Sequence, residues 1–179
     1  MNYIQFISFG IIGMLFLSML FSVILAVKGF ERKFNIYFAI VVLTVIIYNG
    51  ANTIAVADEL LTIKEYVIIE KLTNIVLLLS ALVYLKLISH MSGFQLKYFF
   101  NILFVLALML LFLNHLLPNG MVVGEITSIE KTITPWGEKI NNITITTSYC
   151  AYIVYFFICG LLFYMVRASI FALKNQRRI

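Results

Sequence analysis

Long apolar stretches alternate with short polar ones along this chain. Five of them, Tyr3–Val27, Ile36–Ala57, Tyr66–Met91, Tyr98–Leu117 and Ser148–Leu173, are mostly apolar and reach the roughly 20 residues a helix needs to cross the hydrocarbon of a bilayer. The connections are short except the fourth, Pro118–Thr147, whose pattern also differs. From Met121 to Thr134 that connection is rich in β-branched residues, and in Ile143-Thr144-Ile145-Thr146 apolar and polar positions alternate. Two such runs broken by Pro135 and Gly137 predict a hairpin or small strand pair. Ile129, Lys131 and Ile133 would share one face of its first strand, and Glu130 and Thr132 the other. A lone hairpin is marginal in water, so it is expected to lie against the helix ends. Trp136 suits the membrane–water interface. Pro135, Trp136, Gly137 and Glu138 would then form a cap, with direct ligand contact as the alternative use of the same residues.

Composition sharpens this to a membrane protein. Of the 179 residues 63% are hydrophobic and 12% charged, with a mean hydropathy of +1.03; a soluble domain is about a quarter charged. The first stretch lacks the basic leader of a signal peptide, and Lys28-Gly-Phe-Glu-Arg-Lys33 follows it where a cleavage site would stand, so it reads as a retained helix. Cys150 and Cys159 are nine positions apart in one apolar run. On a helix that is roughly 13 Å of rise, too far for a disulfide, and both are expected as buried small hydrophobes. The expected fold is an all-α integral membrane protein, one transmembrane domain over 1–179 with five helices and a small β-rich extracytoplasmic loop between helices four and five.

Charge gives that fold a direction. With the N-terminus outside and the C-terminus inside, Lys28, Arg32, Lys33, Lys86, Lys97, Arg167, Lys174, Arg177 and Arg178 face the cytoplasm with one acid, Glu31. The outer side takes Lys64, Lys71, Lys131 and Lys139 with all the remaining acids. The excess of Lys and Arg on the inner side favours this orientation over its reverse. The pI near 9.2 therefore points to anionic inner-leaflet lipid and not to nucleic acid. No internal repeat is visible, and an odd number of spans argues against a simple inverted-repeat transporter.

Polar residues inside the spans need a reason, because the bilayer interior is costly for them. Tyr48-Asn-Gly-Ala-Asn-Thr53 places Asn49, Asn52 and Thr53 on one helical face. Glu70 and Asn74 are one turn apart in the third span, and the fourth ends with Asn114 and His115. In the orientation above all fall in the outer half of the membrane. They either line a polar recess under the Trp136 loop, with Asn49, Asn52, Glu70, Asn74 and His115 as ligand-sensing candidates, or act as hydrogen-bonding glue between helices. At the inner end of the third span, Lys86 is expected to snorkel to the headgroups and His90 to be a surface residue.

The chemistry-bearing motifs of enzymes are missing. There is no phosphate-binding Gly loop, HExxH, nucleophile elbow or Cys–His cluster in the sequence, so catalytic residues, metal and cofactors are all expected to be none. The segment Arg167–Ile179 could continue the fifth span as an amphipathic helix, with Arg167, Lys174, Arg177 and Arg178 as a signal-output tail.

The segment Pro118–Ile140, PNGMVVGEITSIEKTITPWGEKI, resembles one in the membrane-embedded N-terminal sensory regions of bacterial PAS-containing sensor histidine kinases and related multi-span signalling proteins. There an outer loop with a β-rich stretch and a PWGE-like turn joins the fourth and fifth helices; here the turn is Pro135-Trp136-Gly137-Glu138. Those regions usually continue for two more helices and then into PAS and kinase domains, which this sequence does not reach. Where the family would have Arg-Trp and His near the start of the third span, Lys71, Leu72 and Asn74 stand. The resemblance implies a non-enzymatic sensory or signal-relay module of the bacterial cytoplasmic membrane. Its expected partners are the lipid bilayer, a cytoplasmic signalling protein and a second copy of the chain. The alternatives are a subunit of a small-solute transporter or channel, and a structural subunit of a membrane complex.

Overall fold

The computed structural model describes residues 3–57, 61–135 and 137–176. Trp136, Arg177 and Arg178, each given a role above, lie outside the described residues. The elements in order are α1 (Tyr3–Val27), α2 (Arg32–Ala57), α3 (Ile63–Ser92), α4 (Lys97–Leu116), β1 (Val123–Ile133), β2 (Lys139–Thr147) and α5 (Ala151–Gln176). All five helices are long and apolar enough to cross a membrane.

Several helix ends differ from the apolar runs, for local reasons. α1 stops in a Schellman turn. Gly29, at φ 81°, lets the Phe30 N–H reach the Leu25 carbonyl at 3.0 Å and its own N–H the Ala26 carbonyl at 3.1 Å. α2 then begins at Arg32 and not at Ile36, because the Asn35 N–H already donates to the Glu31 carbonyl and the buried Asn35 amide to the Phe30 carbonyl at 2.7 Å. α3 begins at Ile63 and not at Tyr66. Thr62 is its N-cap in a full capping box: its hydroxyl accepts from the Glu65 N–H, and the Glu65 carboxylate accepts from the Thr62 N–H. α5 starts at Ala151 because Ser148 accepts from the N–H groups of Cys150 and Ala151.

α3 is the central helix, packed against α2, α4 and α5, while α1 packs along α2. The core lies among α3, α4 and α5 around Leu78, Leu85, Leu103, Ala107, Leu110, Phe157, Tyr164 and Ala168. Small residues bring α4 and α5 together, as is common between membrane helices: Ala107 and Ala168 are fully buried, and a Cβ on Gly160 would stand 2.9 Å from Leu103 Cδ2. α1 instead exposes most of its large apolar side chains, as a helix facing lipid does. The cysteines depart from expectation. Cys159 is exposed and Cys150 half-buried, both as free thiols, because α5 turns Cys159 outward from the small core it shares with α3 and α4.

β1 and β2 form an antiparallel pair, in regular register from Ser128↔Thr144 to Ile133↔Lys139. Nearer the helices β1 carries extra residues between Val123 and Ile126 and between Ile126 and Ser128, which bend and twist the ribbon. Gly124 is required there, since a Cβ would meet Thr146 Oγ1 at 2.8 Å. The hairpin rests on the end of α2. Asn141 Nδ2 donates to the Ala55 carbonyl at 3.0 Å, one of the last-turn carbonyls that a helix leaves without an internal partner.

Candidate functional site

The polar residues at the hairpin end of the bundle gather around Asn114, not around His115. Asn114 sits in the last turn of α4 with 1% of its surface exposed. Its Nδ2 donates to the Lys71 carbonyl on α3 at 2.9 Å, and its Oδ1 accepts from Asn74 Nδ2 and from the Met121 backbone N–H, both at 3.2 Å. Asn74 is itself buried, and Glu70 stands one turn earlier on the same helix. One side chain thus joins α3, α4 and the segment entering β1.

The backbone around Asn114 makes this possible. After Leu116 the chain reverses through Pro118 and Asn119, and Gly120 adopts φ 89°. A Cβ at Gly120 would lie 3.0 Å from Asn114 Oδ1 and 3.3 Å from Lys71 Cγ. Only glycine fits both the conformation and the space. Met121, 2% exposed, then closes this end of the core. Asn74 and Asn114 thus bond directly to each other, with Gly120 packed against the pair.

The other sequence candidates are distributed differently. Asn49 and Asn52 are half-buried on α2. The Asn49 amide donates to Val45 of its own helix at 2.8 Å, and Thr53 donates to the Asn49 carbonyl. Neither asparagine is bonded to the Asn114 node in the contacts described. His115 is exposed, turned away from its buried neighbour, as successive positions on a helix must be. In the hairpin turn Pro135 and Gly137 are exposed and Glu138 half-buried, with Gly137 at φ 85°. The residue that organises this turn is Thr134, which sequence reasoning did not single out. Its N–H donates to the Glu138 carbonyl at 2.8 Å, its carbonyl accepts from the Gly137 N–H, and its hydroxyl accepts from the Glu138 N–H. The signal was a Thr directly before Pro, a local side-chain-to-backbone turn former.

α5 is fastened beside the hairpin and again from its middle onward. Next to the hairpin, the Ser148 N–H donates to the Val122 carbonyl at 2.9 Å. Toward the other end, the Tyr164 hydroxyl donates to the Phe94 carbonyl in the α3–α4 connection at 3.1 Å, and Ser89 donates to the same carbonyl at 2.8 Å. The Phe94 ring lies 5.5 Å from that of Tyr164 and 5.4 Å from that of Phe171, centre to centre. Arg167 is 6.0 Å from the centre of the Phe163 ring, and Lys174 is exposed. Among the described residues no group of His, Cys, Asp and Glu could hold a metal ion. These contacts tie hairpin, bundle core and the second half of α5 into one chain of packed and hydrogen-bonded groups.

Family models, curated protein sequences and solved structures contain no match to this chain.

Proposed function

We propose that the chain is a membrane sensory or signal-relay module of a bacterial cytoplasmic membrane. It couples an extracytoplasmic or membrane stimulus to a cytoplasmic signalling partner, with the hairpin outside and the end of α5 inside. The observation that carries this reading is the double fastening of α5: Ser148 to the base of the hairpin, Tyr164 and Phe171 to Phe94 between α3 and α4. A stimulus that moves the hairpin has a rigid path to the far end of α5. The Lys and Arg distribution supports the orientation, and the PWGE turn supports the sensory class by its resemblance.

A benzophenone cross-linker placed at Lys174 in native membranes, together with the intact mass of the species that carries it, tests this. A kinase, cyclase or other signalling domain, joined to the chain or cross-linked to it, is the expected result. A transport complex in that place, or lipid alone, would move the transporter or scaffold reading ahead.

A further inference from the structure

At the end of the bundle opposite the hairpin, the start of α2, the end of α3 and the start of α4 enclose a cleft of about 460 Å³. Its wall carries Lys33, Lys86, His90 and Lys97, with the polar side chains of Tyr37 and Asn101 beside them. No acid lines it. Glu31, with Arg32, belongs to the adjoining surface that shares Lys33 and His90. None of the four basic side chains forms an ion pair with a described carboxylate.

Lys86 is the informative member. It lies about 9 Å inside the end of α3 at Ser92, counted at the helical rise, where a charge needs compensation. Its Nζ sits 4.1 Å above the Phe100 ring centre, a contact that fixes its direction and leaves its charge uncancelled. Lys33 and Lys97 come to the same cleft from two other helices. Three lysines from three helices converging without an acid repel one another unless an anion joins them, and a basic cleft between membrane helices is the shape in which anionic headgroups are held.

We infer that the cleft among Lys33, Lys86, His90 and Lys97 is a binding site for a phosphate group, supplied either by an anionic phospholipid or by a free phosphate. This goes beyond the relay reading and stands without it.

The test uses the full chain in nanodiscs of phosphatidylcholine, alone or mixed with phosphatidylglycerol. Native mass spectrometry reads phosphatidylglycerol retained on the protein, and thermal unfolding in phosphatidylcholine discs reads stabilisation by inorganic phosphate over chloride. Preferential phosphatidylglycerol retention identifies the lipid source, and stabilisation by phosphate the free one. In either case Lys86→Gln with Lys97→Gln weakens binding, about five-fold for each lysine removed. Lys86→Arg with Lys97→Arg retains it. The matched pair Lys131→Gln with Lys139→Gln, at the hairpin end, leaves it unchanged. If the unmodified protein prefers neither anion, or both Gln pairs weaken binding equally, there is no such site. The first of these outcomes needs no variant to fold.

Discussion

At the scale of single residues the hairpin end of the protein depends on Asn114. Replacing it with Leu strands the Lys71 carbonyl, the Met121 N–H and the Asn74 amide in a place where water is scarce, at about 1–3 kcal/mol for a buried group left without its partner. Asn114→Leu should therefore lower unfolding stability in detergent by about 3 kcal/mol or more. His115→Leu, at the exposed neighbouring position, should stay within about 0.5 kcal/mol. Gly120→Ala should cost about 1–3 kcal/mol, for the left-handed backbone and for the close approach to Asn114. Equal effects at 114 and 115, read by equilibrium unfolding, would remove the node from the account. The sequence displayed Asn114 and His115 side by side and offered no means to rank them. Which of two adjacent polar residues is buried depends largely on α3 partners 40 and 43 positions away, and no local pattern carries that.

At the scale of elements the five apolar helices were legible from run length alone, because a bilayer demands long uninterrupted runs. Their ends were not, because caps and not hydropathy set them. Thr62-Ile63-Lys64-Glu65 is a capping-box pattern that was readable in the sequence, yet its two polar ends resemble loop. Thr62→Ala should destabilise α3 by about 1 kcal/mol and fray its first turn, seen as faster amide exchange at Glu65 and Tyr66 with the middle of α3 unchanged. The hairpin's register and its bulges near Gly124 were likewise out of reach, since β-branched runs signal a strand without fixing its pairing. Asn141 held no signal at all: it acts on Ala55, which lies 86 positions away. Asn141→Leu should release the hairpin from α2 and speed amide exchange along β2, and exchange rates there equal to those of the native chain would show that the contact does not hold the ribbon down.

At the scale of the whole molecule, orientation and coupling are the two claims. Orientation rests on the placement of Lys and Arg, a property of the sequence that folding does not alter. In intact cells, Lys131→Cys on the hairpin should react with a membrane-impermeant maleimide, and Lys97→Cys at the opposite end should react only after lysis. The reverse pattern would invert the topology. Coupling was invisible in the sequence, because it depends on Tyr164 reaching Phe94 across 70 positions and on Ser148 closing onto Val122. These contacts make α5 a candidate lever between the two ends.

The measurement that reaches this claim most directly is a distance between spin labels at Met91→Cys and Lys174→Cys, with Cys150 and Cys159 replaced by Ala, in nanodiscs with and without Asn141→Leu. Relay through α5 predicts that loosening the hairpin displaces or broadens the distance distribution at the far end by about 1–2 Å or more, the scale of helix shifts in switching proteins. An unchanged distribution, in a variant whose hairpin amides demonstrably exchange faster, would contradict it.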